Sequence, residues 1–321
     1  MSSSIDEICS QIRFLLERAV RRNLSEGILL SGGLDTSILA VIASKYGSLK
    51  AFTMAFMGSP APDVEYATLI AKRLGFKHTV HRFGQDELFD AIPVVVQTMK
   101  SFDPMEIRNS VTIYIGLRTA KENGVNTVTT GDACDELLAG YSFLFGLNRE
   151  KLDLELQKLW DVMQFSSLPL ATILGLEAKL PYLDPEFKAF AMKLDSQYKI
   201  RPENGKVFGK WILRKAFEQS LPKEITWRVK TPIEYGSGTT TLPSLFESKI
   251  SDTEFSKKRR KYTEEDKVTI RDKEHLFYYE IYRSVIGVPH PSDEKGKICP
   301  QCNSNVLEKA TYCRTCGAYP I

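Results

Sequence analysis

A segment near the start of the chain, 27–37, constrains the fold more than any other part of the sequence. The apolar residues 27–30 predict a strand, 31–33 predict a tight turn, and 36–45 predict a helix. A turn between a strand and a helix directs backbone N–H groups toward one point, beside the positive end of the helix, and forms an anion-binding nest. Its glycines permit the turn and the close approach of a phosphate. The predicted phosphate-binding residues are Ser31, Gly32, Gly33, Thr36 and Ser37.

Asp35 places a carboxylate inside this phosphate-binding loop, where it alone would repel the ligand. A Mg²⁺ ion held by Asp35 and the phosphates would remove that conflict. The alternative is a glycine-rich turn whose Asp only caps the helix. The loop lacks the Gly-x-x-x-x-Gly-Lys pattern, so it does not favour transfer of a terminal phosphoryl group. It instead predicts activation of a substrate by transfer of AMP from ATP.

A second acidic segment, 130–136, follows another apolar strand. Its three carboxylates, within five residues, favour a bound cation, and Asp135 is the candidate to share Mg²⁺ with Asp35. The start of a helix would also favour acidic residues here, and both interpretations can hold together. Cys134 is interpreted as a packing residue, since no His lies nearby in the sequence.

Strands and helices alternate over the first 130 residues. This alternation predicts parallel βαβ units and an α/β fold, a doubly wound parallel sheet flanked by helices. Together with the loop at 31–37 it predicts a fold of the ATP-pyrophosphatase type, and the C-terminal cysteines described below predict an added small zinc ribbon. Ligands of such sheets bind at the carboxyl ends of the strands, where both acidic segments lie. Further strands are predicted at 49–56, 77–83 and 126–130, and further helices at 5–21, 63–74, 86–98 and 110–123.

The rest of the chain changes character several times. Residues 150–220 are mainly helical in pattern, 228–245 are rich in Thr, Gly and Pro and predict a loop, and 289–292 resemble a linker. We therefore expect three parts: an ATP-pyrophosphatase domain over 1–245, a charged helical or linker segment over 246–292, and a zinc ribbon over 293–321.

Four of the six cysteines lie in the last 23 residues, as two Cys-x-x-Cys pairs. Such pairs, ten residues apart, are typical of a zinc ribbon with a structural Cys₄ site, and disulfides are the alternative. The predicted zinc ligands are Cys299, Cys302, Cys313 and Cys316.

Composition adds little beyond a class of protein. The chain is 43% hydrophobic and 26% charged, has a net charge of +3, and shows no leader or membrane-spanning pattern, so we expect a cytoplasmic protein. The basic run 257–261 could contact nucleic acid together with Lys295, Lys297, Lys309 and Arg314. A solvated charged face is the equal alternative, because acidic residues flank the run.

The chain resembles the synthetase domain of the asparagine synthetase B family. The resemblance covers roughly 5–245, and the order and spacing of its motifs argue against chance. The matching segments are 31–37, 130–141, 177–184, 210–214, 221–225 and 227–230.

This resemblance implies a reaction in two halves. ATP would adenylate a carboxylate with loss of pyrophosphate, and ammonia would then attack the acyl adenylate to give an amide. By the same resemblance Asp35 and Asp135 would hold Mg²⁺, and Lys230 would lie over the α-phosphate and the developing oxyanion. The residues expected to line the adenosine pocket are Leu30, Met54, Thr130 and Gly131.

Three departures from the family leave the substrate that accepts AMP and the source of nitrogen undetermined. The chain begins Met1-Ser2, without the cysteine nucleophile of a glutaminase domain, so we expect free ammonia or a separate glutaminase as the nitrogen source, or a different nucleophile altogether. Asp132 stands where the family has the Glu that handles ammonia, which moves the carboxylate back by about 1–1.5 Å. Lys179 replaces an Arg, so a bidentate clamp becomes a point charge.

These observations leave three functional hypotheses. The first is an ammonia-dependent ligase acting on a small, aspartate-like carboxylate, with Lys230, Asp132 and Asp135 as catalytic residues. The second is an AMP-forming enzyme acting on tRNA, with the ribbon and the basic run docking the RNA. The third is a nucleotide-binding scaffold without activity, which is weakened by the joint presence of Asp35, Asp135 and Lys230.

Overall fold

The structure, a computed structural model, describes residues 4–291 and 296–321. The predicted linker residue Ser292, the basic residue Lys295 and the predicted ribbon boundary at 293 lie outside the described residues. The chain divides into two compact units: the first comprises Met1–Met54, Pro62–His81 and Gly116–Pro232, and the second comprises Ala55–Ala61, Arg82–Ile115 and Ile233–Ile321.

Elements are numbered along the chain. The strands are β1 (Gly27–Leu29), β2 (Lys50–Phe56), β3 (Lys77–Phe83), β4 (Thr127–Thr129), β5 (Glu177–Lys179), β6 (Arg201–Glu203), β7 (Lys206–Phe208), β8 (Lys297–Ile298) and β9 (Asn305–Val306). The α-helices are α1 (Ile5–Arg22), α2 (Leu34–Ala43), α3 (Asp63–Leu74), α4 (Gln85–Met99), α5 (Pro104–Glu122), α6 (Cys134–Leu138), α7 (Arg149–Val162), α8 (Ser167–Ile173), α9 (Pro185–Lys193), α10 (Trp211–Phe217), α11 (Lys223–Thr226), α12 (Ile233–Ser237), α13 (Leu242–Lys249), α14 (Asp252–Glu265) and α15 (Lys273–Val285).

The central sheet has the strand order β3-β2-β1-β4-β5. β1 is parallel to both β2 and β4, and β4 is parallel to β5. From β1 the chain forms β2 and β3 on one side of the sheet, and then forms β4 and β5 on the other side of β1. This topology confirms the predicted doubly wound sheet. In sheets of this kind the point where the order reverses, here between β1 and β4, is where ligands bind.

Apolar helices cover the sheet of the first unit. α1 begins with a capping box between Ser4 and Glu7, and buries one face that includes Ile12 and Leu16. α2 is apolar on nearly all sides and is almost completely buried, as a helix directly against a sheet must be. The loop that precedes α2 is therefore fixed by its attachment to a rigid core.

The predicted strands and helices agree with the structure within a few residues, with two exceptions, and several short strands have no counterpart among the predicted elements. Helix α5 begins at Pro104, six residues before the predicted start, because proline is well suited to the first turn of a helix. The interpretation of 228–245 as one loop is wrong beyond Pro232, where α12 and the start of α13 bury Gly236 and Leu242. Strand β5 has only three residues, too few for a periodic signal.

The second unit contains an aromatic core built around α15. The Phe246 ring lies 4.6 Å from that of Phe277 and 5.4 Å from that of Tyr278, measured between ring centroids. Residues 296–321 cluster with this unit, and the predicted domain boundary at 245 falls inside α13. None of the helices in the described ranges combines the length and apolar character needed to cross a bilayer.

Candidate active site

The loop after β1 is shaped by one glycine. Gly32 has a φ of +66°, and a Cβ atom there would lie 2.3 Å from the backbone N of Ala67, so another residue does not fit. Oγ of Ser31 lies 3.1 Å from Oγ1 of Thr36, and the N–H of Gly33 donates to Ser31 Oγ at 3.2 Å. The loop is therefore ordered by its own hydroxyl groups.

The N-terminus of α2 has the features of an anion site. Gly33 is its N-cap, and no side chain in the described residues caps it, which leaves the first backbone N–H groups of the helix without a partner from a capping side chain. Oγ of Ser37, one turn along, is buried without a hydrogen-bond partner in the same part of the chain. These donors and the helix dipole favour an anionic ligand.

The second acidic segment lies beside this loop because β4 pairs with β1. Residues Gly27 and Ile28 are in register with Val128 and Thr129, so both chains leave the sheet side by side. Gly131 passes so close to α2 that a Cβ atom there would lie 2.9 Å from Cγ2 of Thr36. Glycine at this position is what allows the two loops to meet.

Two lysines join the carboxylates of the two loops. Nζ of Lys210 lies 2.6 Å from Oδ2 of Asp35 and 2.7 Å from Oδ1 of Asp135, and its side chain is only 3% exposed. Nζ of Lys230 lies 2.9 Å from Oδ2 of Asp135. Burial by itself would raise the pKa of Asp135, but these two ammonium groups hold it well below its usual range. Asp135 therefore remains charged across the physiological range.

Asp132 has a different environment from Asp135. Its Oδ2 accepts hydrogen bonds from Oγ1 of Thr130, at 2.9 Å, and from Oγ of Ser167. Burial raises its pKa, and these two hydroxyl donors oppose the shift. The same segment contains Glu136, whose pKa burial also raises and whose Oε1 accepts from the Tyr141 hydroxyl at 2.6 Å.

The segment that ends in Lys230 is fixed by two arginines. The buried Arg214 guanidinium donates to the carbonyl oxygens of Thr226, at 2.5 Å, and of Arg228, at 3.0 Å. Arg228 in turn pairs with Asp63 at 2.7 Å. Lys230, which pairs with Asp135, thus follows directly after an anchored stretch of backbone.

The remaining predicted site residues lie as follows. Leu30 and Met54 are buried at the carboxyl ends of β1 and β2, and the Leu30 carbonyl accepts from the Thr53 hydroxyl at 2.6 Å. Lys179 pairs with Glu177 of its own strand at 2.6 Å. Burial and the nearby Asp35 raise the pKa of Cys134, consistent with a packing role.

Sequence reasoning missed three residues of this site, Lys210, Arg214 and Ser167. Lys210 and Arg214 lie in segment 210–214, which matches the family pattern but does not indicate what either side chain does. Nothing in the sequence around Ser167 singles it out, because its partner Asp132 is 35 residues away.

The four C-terminal cysteines form one cluster in the second unit. All are buried and unpaired as disulfides, and their sulfur atoms lie within 4.8 Å of one another. The Cys299–Cys316 and Cys302–Cys313 sulfur distances are both 3.7 Å. Four ligands at the Zn–S length of about 2.3 Å in a tetrahedron place sulfur atoms about 3.8 Å apart. The cluster thus has the geometry of a metal site, whereas a disulfide requires about 2.05 Å.

The basic run on α14 is partly neutralised by neighbouring carboxylates. Lys258 pairs with Glu254 at 2.8 Å and with Glu280 at 2.9 Å, and Arg260 pairs with Glu264 at 2.7 Å. Nζ of Lys297 donates to the carbonyl of Ile321 at 2.9 Å. These pairs reduce the positive charge that the run presents to a polyanion.

The doubly wound sheet, with an uncapped helix start and two acidic loops at its switch point, defines an α/β protein with the features of a phosphate-binding site at that edge. The chain belongs to the asparagine synthase family: the model described as "Asparagine synthase" matches residues 11–168 and 169–289. The resemblance predicted from the motifs is thereby confirmed.

Individual relatives agree with this assignment. The chain is 34% identical to "Asparagine synthetase [glutamine-hydrolyzing]" of Sandersonia aurantiaca over 240 residues, which is 68% of this chain and 45% of that protein. It is 30% identical to "Asparagine synthetase B [glutamine-hydrolyzing]" of Escherichia coli (strain K12) over 311 residues, or 88% and 55%. The chain spans about half the length of these curated relatives.

Among solved structures, the NMN synthetase of Francisella tularensis has a TM-score of 0.31 and 16% identity, covering 60% of this chain and 94% of that one.

Proposed function

We propose that this protein is an ATP-dependent, AMP-forming carbon–nitrogen ligase. It adenylates a small, aspartate-like carboxylate and transfers the acyl group to ammonia. The observation on which this rests is the convergence of Asp35, Asp135, Lys210 and Lys230 beside the uncapped start of α2. The carboxylate pair would bind a metal ion and the loop would bind phosphate groups, so together they suit a nucleoside triphosphate with its metal ion.

The side chains divide the first half-reaction among them. The loop residues Ser31–Ser37 bind the pyrophosphate that will leave, through backbone N–H and hydroxyl groups. The Lys230 ammonium group faces the α-phosphate, where negative charge develops as the carboxylate attacks, and a donor of this kind contributes about 3–4 kcal/mol. Leu30 and Met54, with Thr130 and Gly131, enclose the adenosine.

Mg²⁺ fits the residues present. Asp35 and Asp135 offer oxygen ligands from adjacent loops, and Oδ1 of Asp35 is buried with no hydrogen-bond partner in the described residues. Lys210 pairs with the other oxygen of this carboxylate, and a bound cation would satisfy the buried Oδ1 as well. When bound, Mg²⁺ would neutralise the charge of the triphosphate and of the departing pyrophosphate.

The second half-reaction requires a group that accepts a proton from the attacking nitrogen. Asp132 is proposed for this role, with free ammonia or a separate glutaminase as the nitrogen source. Lys179, which stands in place of the family's Arg, would offer a carboxylate a point charge instead of a bidentate clamp, and in this structure that charge is paired with Glu177.

The cysteine cluster is proposed to hold one structural zinc ion. All four ligands would come from the protein, which leaves no open position for catalysis. The proposed cytoplasmic location, a reducing compartment, would keep the four thiols available to the metal.

The decisive experiment measures pyrophosphate release from ATP with purified protein and Mg²⁺. Release with aspartate and ammonia, accompanied by AMP and amide, is expected. Steady release of orthophosphate as the primary product would contradict the proposal. Release that depends on added tRNA and not on aspartate would favour the RNA-modifying hypothesis. Release under neither condition would favour a non-catalytic scaffold.

A further inference from the structure

Asp132 is partnered only by neutral groups. The hydroxyls of Ser167 and Thr130 both donate to Oδ2, and no ammonium or guanidinium group pairs with this carboxylate in the part of the chain that the structure describes. Ser167 is completely buried at the start of α8, and Thr130 directly follows β4. The two donors therefore come from separate elements and converge on one oxygen atom.

This arrangement makes the two oxygens of Asp132 unequal. Oδ2 is occupied by two donors, which fixes the side-chain torsions, while Oδ1 has no hydrogen bond to the described residues. Oδ1 is therefore the oxygen that can accept a proton from outside the protein. A carboxylate fixed in this way is oriented before the reaction, and orientation on this scale affects rate strongly.

Asp132 and Asp135 lie three residues apart but differ in their affinity for protons. Asp135 is held charged by Lys210 and Lys230, which suits a metal ligand. Asp132, without a cation, has its pKa raised by burial, which suits a proton acceptor. Environments that separate two carboxylates in this manner commonly mark distinct roles in one active site.

We propose that Ser167 is a positioning residue for the second half-reaction, which with Thr130 aims Oδ1 of Asp132 at the attacking nitrogen. The inference rests on the proposed function. In this step the nitrogen lone pair forms a bond to the acyl carbon, and the bond from that carbon to the AMP oxygen breaks, leaving its electron pair on AMP. One N–H proton passes to Oδ1 of Asp132.

Other titratable groups near Asp132 set the direction of the expected pH effect. The charges of Asp135 and Glu136 on α6 disfavour the charged form of Asp132, whereas Ser167, which bonds to it from α8, is neutral. The Ser167 hydroxyl stabilises the charged form by hydrogen bonding. Loss of that hydroxyl therefore raises the pKa of Asp132, and the base becomes active only at higher pH.

The test compares Ser167→Ala with Ser166→Ala, the adjacent serine whose side chain does not cap α8. Two rates are measured against pH in each protein: ATP–pyrophosphate exchange with aspartate, and amide formation with ammonia. For Ser167→Ala we expect ATP–pyrophosphate exchange within about twofold of the wild-type rate and amide formation about tenfold slower. We also expect the acidic limb of the pH profile of amide formation to move up by about one pH unit. In the Asp132→Asn background, Ser167→Ala should add no further loss.

The outcomes separate this inference from the proposed function. Absence of exchange in the wild-type protein would overturn the proposed function itself. Normal exchange with an unchanged pH profile of amide formation in Ser167→Ala would overturn the positioning role alone. Equal loss of both rates in Ser167→Ala, with Ser166→Ala normal, would also overturn it, because Ser167 would then support the whole site and not Asp132.

Discussion

Nζ of Lys210 lies 2.6 Å from Oδ2 of Asp35, although 175 residues separate them in the chain. The ammonium group also reaches Asp135, so one buried cation offsets two carboxylates that would otherwise repel each other. Burial acts to lower the pKa of Lys210, but Asp135 and Asp35 hold it well above its usual range. The lysine thus secures the acidic pair in the protein itself.

We expect Lys210→Met to lower the free energy of unfolding by about 3–5 kcal/mol, because it leaves two neighbouring carboxylates without this cation. Added Mg²⁺ should recover part of that loss, and more than it stabilises the wild type. Urea unfolding with and without Mg²⁺ measures the loss and its recovery. At ten times its apparent Kd, bound Mg²⁺ should stabilise the folded state by about 1.4 kcal/mol.

Lys215→Met is the matched control for this variant. Lys215 lies on α10, the helix that begins directly after Lys210, and its pair with Glu218 at 2.7 Å is partly exposed. Its loss should cost less than about 1 kcal/mol. Equal unfolding midpoints for the Lys210 and Lys215 variants would contradict the role given to Lys210.

Lys199 should make the stability of the protein depend on pH. Its side chain is completely buried, its Nζ has no hydrogen-bond partner in the described residues, and it lies 4.7 Å from the centre of the Trp160 ring. Burial lowers its pKa to about 7, against the attraction of Asp153 and Asp195. The unfolded chain, with an ordinary lysine pKa of about 10.4, then binds more protons than the folded one between pH 7 and pH 10.

The free energy of unfolding should therefore rise with pH over that window, with a slope of up to about 1.4 kcal/mol per pH unit from this group. Lys199→Met should remove this contribution and raise stability at pH 7. Lys193→Met, at an exposed position on α9, should leave the slope unchanged. Denaturant unfolding at several pH values decides the question, and equal slopes in both variants would exclude Lys199 as the source.

The cysteine cluster predicts one zinc ion per chain. Cys302→Ser should abolish stoichiometric zinc, measured by elemental analysis of the purified protein. It should also loosen the contacts that 296–321 make with the rest of the second unit, such as the hydrogen bond that Arg271 donates to the Cys316 carbonyl at 2.7 Å. Cys9→Ser, a change to a buried cysteine outside the cluster, should retain the zinc. Full zinc content in the Cys302 variant would contradict a Cys₄ site.

The sequence could predict much of this fold because its signals are local. The strand, turn and helix around Ser31 have the right order, and the alternation of strands with helices indicates a parallel sheet. The acidic loops after β1 and β4 could be placed at strand ends in the same way. The role of Lys210 could not be predicted, because nothing local tells a lysine that will bridge two distant carboxylates from a solvated one.

The same limit applies to Ser167 and to α12. Ser167 acquires a role only through Asp132, which the fold brings to it. The stretch around Gly238, rich in Thr and Gly, has the composition of a loop, yet Ser237 and Thr239 are buried there. Tertiary burial overrides composition in such stretches, which a single sequence does not reveal.

Lys230→Ala is expected to lower the rate of adenylation by about 10²–10³-fold while leaving the fold intact. The side chain is 32% exposed and ends a backbone stretch that Arg214 already fixes, so its removal creates no buried cavity. ATP–pyrophosphate exchange measures the loss, and circular dichroism with urea unfolding confirms the fold. Lys223→Ala, an exposed lysine on α11 of the same unit, should exchange at the wild-type rate. Near-normal exchange in Lys230→Ala would remove this lysine from the mechanism.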